Sequence, residues 1–166
     1  MENHCFNGEH VSHGFKVAIG TIVSTLCLEF LLDYDMSSVD IDKCVAAWPS
    51  WEERKKHIAE AFADKRPSLL ERALKESSDK YVDKEGLRNQ LSAVVAAWPV
   101  LKEKIRAQIY SHSQIQEMLR KAGAPYESEM IGISKERLKS TFEGIPYMRS
   151  RYSSIDLILR DRKSVV

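Results

Sequence analysis

Five histidines are the side chains of this 166-residue chain best suited to hold a metal or move a proton: His4, His10, His13, His57 and His112. Neutral imidazole binds divalent metals and titrates near neutral pH, so its neighbours decide which task is open to it. His57 stands among Arg54, Lys55, Lys56 and Glu60 and reads as part of a solvated helix face. His112, inside Tyr110-Ser111-His112-Ser113, is placed in mid-helix with no second ligand type beside it, which gives it no metal chemistry to do. The N-terminal three differ. His10 and His13 are three apart at the start of an apolar segment, with His4 and Glu9 close by. A His-x-x-His with a nearby Glu hints at a metal, but it lacks the H-E-x-x-H spacing that sets two ligands and a base on one helical face. It reads also as a surface loop, and both readings stand. Lys16, one helical turn beyond His13, is suited to a substrate phosphate and equally to solvent. Cys5, Cys27 and Cys44 are an odd number without C-x-x-C spacing, so no disulfide framework and a reducing cytoplasm are expected.

The elements that would position these residues are helical. Residues 1–12 are polar, with Asn7-Gly8 as a turn signal, and read as a loop. Ser12 is a suitable N-cap for a helix over 13–33, whose apolar residues run almost all round, the pattern of a buried helix surrounded by others. Gly14 and Gly20 in it predict the close approach of another backbone or a ligand. Further along, the spacing predicts a short helix from Val39 that stops at Pro49, then one capped by Ser50, then one over Ser68 to Ser77. Leu87, Leu91, Val94, Val95 and Trp98 predict a helix ended by Pro99, and a second runs from Leu101 to Ala122, where Gly123 and Pro125 form a stop signal. Two short helices follow, Glu136 to Glu143 and Ser154 to Leu159. Ala46-Ala47-Trp48-Pro49 and Ala96-Ala97-Trp98-Pro99 both read as helix ends, not as a structural repeat. No run alternates with period two. The expected fold is all-α, a multi-helix bundle of six to eight helices, in one domain over 1–166.

Composition narrows the classes of function. With 43% hydrophobic residues, seven Gly and five Pro, the chain is neither disordered nor of low complexity. Twenty-five basic against 24 acidic residues give no global electrostatic case for nucleic acid. The N-terminus lacks the basic-then-apolar order of a signal peptide. Val17 to Leu32 contains Thr21, Ser24, Thr25 and Glu29 and falls short of a membrane span, so no span is expected.

The words around His13 extend this reading. Ser12-His13-Gly14-Phe15-Lys16-Val17-Ala18-Ile19-Gly20-Thr21 resembles the His-Gly-x-x-Val-x-x-Gly signature of the dehydroquinate synthase and iron-containing alcohol dehydrogenase superfamily. Near the other end, Gly123-Ala124-Pro125, Ile131-Gly132-Ile133-Ser134 with Leu138, and Met148-Arg149-Ser150-Arg151-Tyr152-Ser153-Ser154-Ile155-Asp156-Leu157 are similar to the closing words of the sn-glycerol-1-phosphate dehydrogenases, closest to their bacterial branch. The likeness runs from Glu2 to Leu157, although residues 37–83 share only helical character. It implies the dehydroquinate synthase-like C-terminal helical domain, with His13 as one ligand of a catalytic divalent metal of the zinc, nickel or iron type. It also implies reduction of dihydroxyacetone phosphate with NAD(P)H in the intact enzyme. Two departures follow. The family's Gly-rich nucleotide-binding domain has no counterpart here, since the seven glycines form no G-x-G-x-x-G. The family's Asp ligand and earlier His ligand are also without counterparts, and His10 has no assigned role in the pattern. The expectation is therefore an incomplete metal site, no NAD(P) site, and no activity from this chain alone. Its partner would be the missing nucleotide-binding half as a second chain; a homodimer or another helical interaction role is the alternative.

Overall fold

The computed structural model describes residues 5–6 and 9–160, so His4 lies outside the described residues. Among the described residues eight α-helices make the architecture: α1 His13–Asp33, α2 Ile41–Ala46, α3 Trp51–Ala61, α4 Pro67–Ser78, α5 Lys84–Arg106, α6 His112–Lys121, α7 Lys135–Gly144 and α8 Ser154–Arg160. The fold is an all-α multi-helix bundle, as the periodicity predicts. The only strands among the described residues are two-residue segments inside the expected N-terminal loop. There β1 Cys5–Phe6 pairs antiparallel with β2 Glu9–His10.

Capping explains most boundaries. Ser12, Asp40, Ser50, Asp83, Ser111 and Ser134 each accept a backbone N–H from the first turn of the helix they precede. Ser50 with Glu53 and Ser111 with Gln114 complete reciprocal capping boxes. At the end of α6 the Gly123 N–H donates to the Arg120 carbonyl at 3.1 Å and the Ala124 N–H to Leu119 at 2.9 Å. With Gly123 at φ 68°, this is the Schellman closure that the Gly-then-Pro signal predicts.

The two Ala-Ala-Trp-Pro words meet different fates. At the first, α2 ends at Ala46 and Ser50 caps the next helix. At the second, the predicted stop is wrong: Pro99 lies inside α5, which continues to Arg106. Val100-Leu101-Lys102-Glu103 offers no capping side chain to restart a helix. Trp98 before the proline and Ile105 after it pack on the same core. Continuing the helix through one missing N–H loses less than exposing that apolar face would.

Three clusters form the interior. The largest joins Cys27, Leu31 and Leu32 of α1 with Cys44 and Val45 of α2, Leu87, Leu91 and Trp98 of α5, and Leu157 and Ile158 of α8. A second seats Ile19 and Ile22 of α1 against Ile131, with Ile115 and Leu119 of α6 beside them. The third holds Ile58, Phe62 and Ala73 between α3 and α4.

The expectation that α1 is buried all round is corrected by this division. At about 100° per residue, Ile19 and Ile22 point to one side of the helix and Cys27, Leu31 and Leu32 to roughly the opposite side. Ile19 and Ile22 therefore bury one face with Ile115 and Leu119 of α6, a helix that α1 follows as far as Glu29 beside His112, while Cys27, Leu31 and Leu32 bury the opposite face with α2, α5 and α8. Val17 (49% exposed), Leu26 (49%) and Phe30 (39%) occupy the faces left open. All-round apolarity here records two one-sided contacts in succession. Helix α1 has the predicted bounds, and by length and composition alone it is long and apolar enough to cross a membrane.

Candidate functional site

The start of α1 holds the metal and substrate residues expected from the sequence. Ser12 Oγ accepts the Phe15 N–H at 3.2 Å, which makes His13 the first helical residue. His13 is exposed there, His10 is exposed at the end of β2, and Lys16 is half-buried one turn along. No acidic residue lies in the first turn. The four leading N–H groups and the positive end of the helix dipole therefore act together with Lys16, a setting that disfavours a cation unless anionic ligands come from elsewhere. Among the described residues no three His, Cys, Asp or Glu side chains converge to hold a metal ion. A catalytic zinc-type centre takes about three protein ligands plus an open position. His13 offers one accessible donor, so the residues present do not by themselves fit the metal, and no chemical step is derived through it.

The glycines of this helix do not behave as expected. A Cβ on Gly20 would meet nothing within 4 Å, and one on Gly14 only the Ser12 Oγ at 3.9 Å. Neither is pressed by another part of the described chain.

The last histidine is misplaced by the sequence reading. His112 is the first residue of α6 instead of a mid-helix residue, because Ser111 caps that helix. It is joined to Glu29 of α1 twice: its backbone N–H donates to Glu29 Oε1 at 3.1 Å, and its Nδ1 pairs with Glu29 Oε2. One carboxylate thus satisfies an otherwise orphaned helix N–H and fixes the imidazole ring. Residues 83 apart in sequence carry no local signal of this pairing. His57 is exposed on α3, as expected.

The densest group of charges lies elsewhere, where α8 meets α4 and the α4–α5 turn. Asp156 is buried and accepts Lys80 Nζ at 2.6 Å, the Ser153 N–H at 2.9 Å and the Ser153 hydroxyl at 2.8 Å. Arg149 and Arg151, the nearer basic residues in sequence, are exposed, and the partners of Asp156 are Lys80 and Ser153 instead. The residue that does join the cluster is Arg160, 4% exposed, whose Nη2 donates to the Lys80 carbonyl at 3.4 Å. Its guanidinium carbon lies 4.5 Å from the Tyr152 ring centre and 5.7 Å from that of Trp48, while that of Arg54 lies 4.6 Å from Trp48. Burial pushes the Arg160 guanidinium below its ordinary range, against the opposing influence of Tyr152 and Asp156. Sequence reasoning missed Arg160 and Lys80; a lone Arg at the end of an apolar helix was the available signal.

No family model, curated protein or solved structure matches the chain.

Proposed function

We propose that this chain is the helical, metal-binding half of an sn-glycerol-1-phosphate dehydrogenase-like oxidoreductase, and that it works with a separate nucleotide-binding domain. The observation that carries this reading is the placement of the Ser12-His13-Gly14 word. The resemblance calls for a ligand histidine that opens a long apolar helix, and His13 is the first residue of the 21-residue α1, exposed and held there by the Ser12 cap. In this reading His13 is one metal ligand, and the partner domain brings the anionic ligands that the positive helix end requires. Lys16, on the next turn, meets the phosphate of dihydroxyacetone phosphate. A metal whose ligand set that domain completes would supply Lewis-acid chemistry at the substrate carbonyl, and NAD(P)H bound to that domain would supply hydride. The setting is the cytoplasm.

Reconstitution tests the proposal. The chain alone oxidises no NADH or NADPH with dihydroxyacetone phosphate, and mixing it with the nucleotide-binding domain of such an enzyme plus zinc or nickel restores turnover. His13→Ala then reduces the restored rate by about 100-fold or more, as expected when a metal ligand is lost. Normal turnover of the complemented His13→Ala protein sinks the assignment.

A second reading is favoured by the open apolar side chains of α1. Val17, Leu26 and Phe30 suit a helical interaction module that pairs with a partner or a second copy. Light scattering separates the two. A homodimer that Leu26→Glu converts to monomer supports the module, and a monomer at all concentrations refutes self-association.

A further inference from the structure

The charge cluster around α8 encloses a small cavity of about 40 Å³ whose wall includes Trp48, Arg54, Ser77, Lys80, Tyr81 and Arg160. On the scale of roughly 10–15 Å³ per enclosed water, it admits about three water-sized atoms. Two buried polar atoms on its lining residues have no hydrogen-bond partner among the described residues: Arg160 Nη1 and Ser77 Oγ, on residues 4% and 5% exposed. Unsatisfied buried donors are uncommon because each loses its hydration without compensation.

The charge balance is as uneven as the hydrogen bonding. Asp156 is the one carboxylate on the wall among the described residues, against Arg54, Lys80 and Arg160. Both of its oxygens are already engaged, Oδ1 by Lys80 and Oδ2 by Ser153. Among the described residues, Glu53 and Asp83, the acids that act on the neighbouring Tyr81, are committed elsewhere, Glu53 to Ser50 and Asp83 to the Gly86 N–H. Arg54 and Arg160 make no ion pair among the described residues, and their guanidinium groups rest on aromatic faces instead. Water in the cavity would leave two positive charges unbalanced beside low-dielectric walls, and the orphaned Arg160 Nη1 and Ser77 hydroxyl on its lining residues add unmet hydrogen-bonding capacity. An anion answers both deficits.

We propose that this cavity is a binding site for a phosphoryl oxyanion, held by Arg160 Nη1, the Ser77 hydroxyl and the Arg54 guanidinium, with Lys80 and Asp156 as its fixed, mutually neutralised floor. The cavity's size suits the inner oxygens of the phosphoryl group, and the rest of the ligand lies outside. None of His10, His13 or Lys16 lines it, so the site is separate from the start of α1 and independent of the dehydrogenase reading.

The test uses the full chain with neither metal nor nucleotide, so its failure leaves the reading of His13 untouched. Inorganic phosphate, methyl phosphate and chloride are titrated calorimetrically at constant ionic strength, with Trp48 fluorescence as a second readout. Saturable, one-to-one binding of phosphate but not chloride is expected. Arg54→Gln and Ser77→Ala each weaken it, the former by about tenfold or more, as for loss of a charged hydrogen bond. Arg160→Gln abolishes it; should that variant fail to fold, the other two carry the test, since Arg54 is half-buried and Ser77→Ala removes a hydroxyl that bonds to nothing. Methyl phosphate binding as well as phosphate marks the group as part of a larger ester, and its exclusion marks the free ion. A phosphate response no greater than that of chloride, or equal affinity in all variants, overturns the proposal.

Discussion

Removing the Asp156 carboxylate is the sharpest test of how α8 is held. Asp156→Ala deletes three accepted hydrogen bonds at once and leaves Lys80, with only 12% of its side chain exposed, without its counter-charge beside Arg160. A surface pair would be worth about 0–1 kcal/mol, because solvent screens it. A buried pair broken from one side costs about 3–5 kcal/mol, since the remaining charge cannot regain water. Part of that sum, on the order of 1 kcal/mol, is the loss of the bond from Asp156 to the Ser153 N–H at the start of α8. For a domain of this size each kcal/mol lowers Tm by about 2–4 °C, so a fall of about 6–20 °C is expected. Urea unfolding followed by circular dichroism gives the free energy directly, as a shift in midpoint at unchanged slope. The double variant Lys80→Met/Asp156→Leu removes both charges and should return to within about 1.5 kcal/mol of the parent. The argument fails if Asp156→Ala alone costs under about 1 kcal/mol, or if the double variant is no better than the single one.

Four further outcomes follow from the packing. Burial holds the Cys27 thiol up at about 11 from an ordinary 9.0, so the folded state keeps a proton that the unfolded state releases. Stability then falls by about 2–3 kcal/mol as pH rises from about 9 to 11, and Cys27→Ala abolishes that part of the alkaline slope in urea titrations. Pro99→Ala restores a helical N–H inside α5 and raises stability by about 1–3 kcal/mol; an unchanged or lowered urea midpoint would show that α5 ends at Trp98. Glu29→Ala costs about 1–2 kcal/mol through the orphaned His112 N–H, and a double-mutant cycle with His112→Ala gives a coupling clearly different from zero if the two touch as described. Gly20→Ala meets no obstruction and stabilises the isolated chain by about 1 kcal/mol by calorimetry, whereas a loss would reveal a contact at that position.

What the sequence determined by itself is local: helix class, most boundaries, and the chemistry of the caps. Ser12, Ser50 and Ser111 cap through bonds that span three residues, and Gly123 closes α6 through bonds across three and five, so a short window holds all the partners. His13 at the head of α1 was legible for the same reason. The tertiary structure decided everything that depends on residues distant in the chain. It sent one Ala-Ala-Trp-Pro word to a helix end and carried the other through, because packing on a shared core outweighed one lost hydrogen bond. It turned an all-round apolar helix into one buried first on one side and then on the other. It also gathered Lys80, Asp156 and Arg160, two of them 76 residues apart, into a single charged cavity. Periodicity reports which faces are apolar; only the neighbours that fold against those faces decide which charges are left facing each other, and with what surplus.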